Sequence, residues 1–285
     1  MFEIIKSPVF QVALLGSILL AISSSLIGSF SLYKGQSLIG DSLSHATYPG
    51  VILAFILSLS RNPFILLLGA SAFAIIAYIC IQIIKNYSKL SFDTALAAVL
   101  SGFFGLGMML KTLIQGNPNF TKASQSGLSH YIFGQTSFMR DSDVLVIFIF
   151  TLIIVSILLL FYRQIVIGVF DINFAVSLGI SKVFIDSVLL IMMVLVISIG
   201  LKAVGVILIS SFLIIPCMIA NQYSKDIKKI LLIAPFVSVL SCIIGTYISA
   251  YGYATGPCII IVMSIIAFIS MFIGKYSAFR ISKRF

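Results

Sequence analysis

The stretch PVFQVALLGSILLAISSSLIGSFSL, residues 8–32, contains no charged side chain and exceeds the roughly 20 apolar residues that a helix needs to cross a bilayer. Further apolar runs follow it at residues 38–59, 63–84, 92–110, 144–162, 183–201, 203–222, 230–250 and 256–273. The sequence therefore predicts an all-α fold, a polytopic integral membrane bundle of about eight to nine transmembrane helices. We expect residues 1–285 to form a single transmembrane domain.

The composition supports the same class. Hydrophobic residues make up 60% of the 285 residues and charged residues only 9%, which is too little polar surface for a soluble globule. The formal net charge is +10, but the basic residues cluster between apolar runs, as in loops that face an anionic leaflet. A lipid bilayer, and not nucleic acid, is the expected partner of these charges. The first run is too long for a typical signal peptide and lacks an Ala-x-Ala site, so we expect it to be retained.

The segment between residues 111 and 143 does not follow the pattern of the other runs. A polar stretch containing Gly116, Asn117 and Pro118 precedes a short apolar piece at residues 128–139. This piece is too short to span a bilayer, and it is predicted to be re-entrant or interfacial.

Loop charges orient the chain through the excess of Lys and Arg on the cytoplasmic side. With the amino terminus outside, the inner loops hold the larger group of basic residues: Lys34, Lys85, Lys89, Arg163, Lys182, Lys225, Lys228, Lys229, Lys275, Arg280, Lys283 and Arg284. The outer loops then hold Lys6, Arg61, Lys111, Lys122, Arg140 and Lys202. This orientation is therefore predicted, with a cytoplasmic carboxyl terminus; if the piece at 128–139 spans the bilayer, the amino terminus is expected inside instead.

Asp41 is the only acidic residue between Glu3 and Asp93, and it precedes His45 by four positions within the second apolar run. A carboxylate at bilayer depth costs about 2.5 to 3.5 kcal/mol on insertion scales, so it indicates a functional site. Residues four apart share one face of a helix, where a carboxylate and an imidazole can bind a divalent cation. A structural alternative is that Asp41 caps the helix and His45 is a hydrogen-bonded core residue.

The second run is also punctuated by Gly35, Gly40, Pro49 and Gly50. Hydroxyl residues surround the Asp41/His45 pair: Ser37, Ser42, Ser44 and Thr47. This pattern predicts a broken transmembrane helix that lines a pathway, because exposed backbone groups are tolerated only beside protein or water. The alternative is a kinked helix whose small residues permit close packing.

Residues 40–51, GDSLSHATYPGV, resemble the Gly-Asp-Ala-x-Ser-His-Ala-x-x-Pro-Gly-Val signature of permeases from bacterial ATP-driven manganese, zinc and iron importers. Residues 130–134, HYIFG, are similar to a second segment of this family, as is the spacing of Gly205, Pro216 and Ala220. Two places depart from the family pattern: Ser42 stands where alanine is usual, and Cys217-Met218 replaces the usual Ala-Ala. The resemblance implies that Asp41 and His45 bind the transported ion. His130 is a possible accessory relay for the metal, although we expect a structural role for it.

The segment at about residues 163–182 is similar to the family's coupling helix, which docks in an ATPase subunit. The resemblance rests on Phe170, Asp171, Ala175 and Gly179. Asp171 is suited to cap a helix and Gly179 to end it about two turns later. We therefore expect a short cytoplasmic coupling helix here, whereas without the resemblance an ordinary interfacial helix would be the simpler interpretation.

The sequence contains no G-x-x-x-x-G-K-[ST] phosphate loop, so the chain is not expected to be an enzyme. The resemblance implies three kinds of partner: a cytoplasmic ABC ATPase dimer, a second permease copy or a related permease, and an extracytoplasmic metal-binding protein. It also implies a multi-pass location in the bacterial cytoplasmic (inner) membrane. Two copies would bring two Asp41 carboxylates and two His45 rings to one ion.

No resident cofactor is expected, and a divalent metal is the predicted substrate. Carboxylate and imidazole ligands favour manganese, iron(II) or zinc over copper(I), magnesium and calcium. A transported ion must also be released from the site, and manganese and iron(II) bind less tightly than zinc. We therefore expect manganese or iron as the substrate. Cys80, Cys217, Cys242 and Cys258 stand singly and are predicted to be core residues.

Two other classes of protein are alternatives. A proton-coupled secondary metal transporter can use an intramembrane Asp and His, but no second buried carboxylate or internal repeat is evident. A membrane metalloenzyme is disfavoured because H-E-x-x-H is absent.

Overall fold

The computed structural model describes residues 7–60, 62–115, 134 and 139–276. Its described residues contain helices α1 (Pro8–Tyr33), α2 (Ile39–Ser58), α3 (Pro63–Tyr87), α4 (Phe92–Ile114), α5 (Asp141–Leu160), α6 (Tyr162–Phe170), α7 (Ile172–Ser177), α8 (Lys182–Val204), α9 (Val206–Tyr223), α10 (Ile227–Ser249) and α11 (Thr255–Ile273). The all-helical prediction is confirmed.

Eight of these helices are long and apolar enough to cross a membrane: α1, α3, α4, α5, α8, α9, α10 and α11. Helix α2 is of comparable length but is not among them, because its serines, Asp41 and His45 reduce its hydropathy. The prediction of about eight to nine transmembrane helices is therefore confirmed. The apolar piece at 128–139 falls almost wholly outside the described residues, as does His130.

Helix α1 lies at the centre of the bundle and packs against α5, α8, α9 and α10. Its buried face is rich in serine, a small residue that permits close packing between transmembrane helices. Ser17, Ser23, Ser25 and Ser29 each donate a hydrogen bond to a carbonyl three or four residues earlier in the same helix. These buried hydroxyls therefore need no partner from a neighbouring helix.

Helix α2 packs mainly against α3 and α4. The closest approach joins Gly50 to Gly69 of α3, where a Cβ atom added to Gly50 would lie 2.2 Å from the Gly69 carbonyl oxygen. Close helix contact through small residues, the alternative interpretation of these glycines, is thus present.

The structure corrects the prediction that the second span is broken. Helix α2 runs without interruption from Ile39 to Ser58, with Pro49 inside it. Pro49 removes one backbone donor but does not end the helix, because packing on both sides holds the chain helical around it. The predicted pathway is therefore not supported by an unwound backbone.

The long helices, α2 included, alternate in direction along the chain, so alternate loops meet at the same end of the bundle. Tyr33, which ends α1, donates a hydrogen bond to Asn221 near the end of α9, and the Tyr276 amide donates to the Gln222 carbonyl. We call this the basic end, and it carries the described basic residues predicted to face the cytoplasm: Lys34, Lys85, Lys89, Arg163, Lys182, Lys225, Lys228, Lys229 and Lys275.

Candidate functional site

Asp41 and His45 lie on one face of α2 near the basic end, as predicted from their spacing. The distance between Asp41 Oδ1 and His45 Nε2 is 3.6 Å. The Asp41 side chain is 33% exposed and that of His45 is 21% exposed in the single chain. The pair is therefore close enough to share one ion and remains accessible from outside this chain.

The backbone around Asp41 favours its negative charge. The carboxylate lies in the first turn of α2, where the free N–H groups and the helix dipole stabilise an anion. Leu38, and not Asp41, is the N-cap, and no side chain caps the helix. The interpretation of Asp41 as the N-cap is therefore wrong, although the helix dipole still favours its charge.

The orientation of His45 is set by an aromatic neighbour. Its ring packs edge-on against Phe104 of α4, with 5.1 Å between ring centroids. Nδ1 is buried and has no hydrogen-bond partner, whereas Nε2 faces Asp41. His45 is therefore not a hydrogen-bonded core residue, and Nε2 is the nitrogen placed to bind an ion.

The neighbouring hydroxyls do not extend the ligand set. Ser42 Oγ donates to the carbonyl of Leu96 on α4 at 3.0 Å. Ser44 and Thr47 donate to carbonyls within α2. All three hydroxyl groups are buried and hydrogen-bonded to backbone carbonyls, so they stabilise α2 and do not contact an ion.

The pair is an incomplete metal site within one chain. Among the described residues, no cluster of three or more His, Cys, Asp or Glu side chains is placed to hold a metal. A transition-metal ion takes at least four ligands in most protein sites. Asp41 and His45 would therefore need ligands from another copy, from another chain or from water.

The predicted coupling segment forms a short helix, α7, whose two ends are fixed by local hydrogen bonds. The Asp171 carboxylate accepts a hydrogen bond from the Phe174 amide at 3.0 Å. At the other end, Gly179 adopts φ +80°, and the Ile180 amide donates to the Ala175 carbonyl. The expected cap and terminator are confirmed, because this is the hydrogen-bond pattern of a glycine-ended helix.

The surface of α7 is unusually apolar for a loop. Ala175 is buried against the bundle, whereas Phe170, Phe174, Val176 and Leu178 are each about half exposed. Exposed apolar clusters of this kind mark sites of contact with a protein or with the membrane. The segment therefore has the character of a contact surface at the basic end, and an interfacial helix remains the alternative.

Sequence reasoning missed the contribution of α4 to the site. Phe104 positions the His45 ring, and the Leu96 carbonyl accepts a hydrogen bond from the Ser42 hydroxyl. Neither residue belongs to a motif; Phe104 lies 59 positions from His45 along the chain, and Leu96 lies 54 positions from Ser42. Only the packing of the two helices shows their role.

Comparison with known proteins gives a consistent result. The family ABC-3, described as the ABC 3 transport family, matches residues 6–274. The chain is 33% identical over 266 residues to the zinc transport system membrane protein TroC of Treponema pallidum, covering 93% of this chain and 88% of TroC. It is 35% identical over 269 residues to the manganese transport system membrane protein MntC of Bacillus subtilis, covering 94% of this chain but only 61% of that relative.

A solved structure shows the same fold. The chain matches one from PsaBC of Streptococcus pneumoniae in complex with Fab, with a TM-score of 0.83 and 29% sequence identity. The match covers 98% of this chain and 96% of the other. The family match spans almost all of the sequence, and this multi-pass membrane protein belongs to the ABC 3 transport family.

Proposed function

We propose that this chain is the membrane-spanning permease subunit of an ATP-driven importer that moves a divalent transition metal into the cytoplasm. The observation that carries the proposal is the Asp41/His45 pair, two metal-ligand types 3.6 Å apart on one face of α2. Family membership supports it, as do relatives named for zinc and manganese transport.

The donor set suits manganese, iron(II) or zinc. Imidazole nitrogen and carboxylate oxygen are borderline and hard ligands, and the site contains no thiolate. One Asp41 carboxylate leaves a divalent ion half neutralised, whereas two copies would neutralise it and supply four side-chain ligands. The permease is therefore proposed to act as a pair, either with an identical copy or with a related permease.

The energy for transport is proposed to come from a separate cytoplasmic ABC ATPase dimer, because the sequence has no phosphate loop. The apolar surface of α7 at the basic end is the proposed docking site for this ATPase. An extracytoplasmic metal-binding protein would deliver the ion from the opposite side. The excess of basic residues at the end that carries α7 supports its cytoplasmic placement in a bacterial inner membrane.

The test measures metal uptake by cells that express the complete transporter with Asp41→Asn or His45→Ala. Asp41→Asn keeps the shape of the side chain but removes its charge. Because a ligand is lost in each variant, we expect apparent metal affinity to fall by at least about 100-fold, with normal insertion.

Asp93→Asn is the matched control. Asp93 also lies in the first turn of a helix, α4, but it is exposed. Uptake by this variant should equal that of the unmodified protein. Normal metal accumulation by well-expressed Asp41→Asn and His45→Ala variants would show that the pair does not bind the transported ion.

A further inference from the structure

The end of α1 contacts both sides of the coupling segment. Phe170 directly precedes the cap of α7, and its ring packs against Tyr33 with 5.2 Å between centroids. Asp186, in the first turns of α8 after the segment, accepts a hydrogen bond from Lys34 Nζ at 2.5 Å. Tyr33, the last residue of α1, therefore contacts the end of α6, and the adjacent Lys34 contacts α8.

The Lys34–Asp186 ion pair is well shielded from solvent. The two side chains are 17% and 21% exposed, respectively. The crevice around them is lined by Tyr78 of α3 and by the apolar Ile39 and Leu189. An ion pair in such surroundings resists separation, because pulling it apart leaves two poorly solvated charges. The contact therefore holds α1 and α8 together at this end.

The connection from Lys34 to α2 is short, and backbone hydrogen bonds join it to the end of α1 and to the first residue of α2. Gly35 adopts φ +72°, and its amide donates to the Leu32 carbonyl. The Gln36 amide donates to Ser31, and the Ile39 amide donates to Gln36. A displacement of Lys34 would therefore also move the first turn of α2, where Asp41 lies, because the connection is too short to change its length freely.

We propose that the Lys34–Asp186 ion pair, together with the Tyr33–Phe170 ring contact, transmits movement of the coupling segment to the helix that carries Asp41 and His45. This inference rests on the proposed function. Lys34 and Asp186 act as positioning residues: they belong neither to the Asp41/His45 pair nor to the apolar surface of α7, and they lie between the two.

The molecule offers a matched control on the same helix. Lys202, near the other end of α8, donates to Asp143 of α5 at 2.6 Å. This second ion pair has similar chemistry but lies at the opposite end of the bundle. Breaking it should affect the stability of the bundle without affecting transmission.

The experiment uses the complete transporter in proteoliposomes, with ATP hydrolysis and manganese uptake measured in the same vesicles. Lys34→Met and Asp186→Asn should retain hydrolysis, but manganese transported per ATP should fall by about tenfold, within the usual range of coupling between sites. The double variant should fall no further than either single variant, because the two residues form one contact. Lys202→Met should transport like the unmodified protein.

Two results would overturn the proposal. The first is an unchanged ratio of transport to hydrolysis in Lys34→Met and Asp186→Asn. The second is a ratio that falls equally in Lys202→Met, which would assign the ion pairs a general structural role. A melting measurement in detergent on each variant separates loss of fold from loss of transmission.

Asp41→Asn in the same vesicles separates this proposal from the proposed function. If Asp41→Asn is inactive while Lys34→Met transports normally, only the transmission link is rejected. If Asp41→Asn itself transports normally, the assignment of the metal site is rejected as well.

Discussion

Helix α2 and the coupling helix α7 are stabilised in opposite ways. Helix α2 has no side-chain cap, contains Pro49 and depends on its neighbours: Gly50 lies against Gly69, and Ser42 is bonded to α4. Helix α7 has one buried residue, Ala175, and its ends are fixed by Asp171 and Gly179 within the segment itself.

This difference bears on function. The geometry of a metal site on α2 depends on how several helices pack together. Any rearrangement of the bundle would therefore alter the site. A docking helix that is fixed locally keeps its own shape while it moves as a unit. We therefore expect substitutions at the packing positions of α2 to damage the fold and substitutions in α7 to damage coupling.

The largest effect is expected for Gly50→Ala. The added Cβ atom would lie 2.2 Å from a backbone carbonyl oxygen, so α2 and α3 would have to separate. Overpacking of this kind costs about 1–3 kcal/mol, and we expect a clear drop in the melting temperature and in the folded yield. Size-exclusion chromatography with thermal denaturation in detergent measures both.

Gly102→Ala in α4 is the control for this prediction. A Cβ atom at Gly102 has no neighbour within 4 Å, so this variant should be as stable as the unmodified protein or slightly more stable. Equal melting temperatures for the Gly50→Ala and Gly102→Ala variants would show that α2 does not depend on close packing.

An intermediate effect is expected for Gly179→Ala and Asp171→Ala. Alanine at φ +80° is strained by about 1–2 kcal/mol, and loss of the Asp171 cap costs about 1 kcal/mol. The bundle should still fold, but α7 should fray. We expect weaker crosslinking between a cysteine at Asn173 and the ATPase, together with a severalfold loss of ATP-driven uptake.

Gly252→Ala is the matched control for strain. Gly252 has φ +100° in the loop between α10 and α11, at the opposite end from α7, and its surroundings are open. A similar loss of uptake in Gly252→Ala would attribute the effect to backbone strain in general and not to the coupling helix.

The smallest differences are expected among the ions themselves. Manganese, iron(II) and zinc should all be accumulated, with zinc the strongest competitor because it binds nitrogen and oxygen ligands more tightly. Because manganese and iron(II) bind less tightly than zinc, they leave the site more readily, and we expect their net import to be favoured. Competition uptake in metal-depleted cells measures this order. Accumulation of copper or magnesium alone would require the assignment of Asp41 and His45 as ligands to be abandoned.

The sequence predicts features that depend on local pattern. Uncharged apolar runs locate the spans, and residue spacing places Asp41 beside His45 and Asp171 at the start of α7. Features that depend on distant residues were not predictable: Phe104 against His45, and Lys34 with Asp186, which are 152 positions apart. The continuity of α2 was predicted wrongly, since Pro49 and the glycines indicate a break unless their packing is known.

The serines of α1 have a mechanical consequence. Because Ser17, Ser23, Ser25 and Ser29 are hydrogen-bonded within their own helix, a sliding or rotating α1 would not have to break any of those bonds. Resistance to a shift of α1 therefore comes from contacts at a few points: Thr151 of α5 on the Leu19 carbonyl, Tyr33 on Asn221 of α9, and Lys34 on Asp186 of α8.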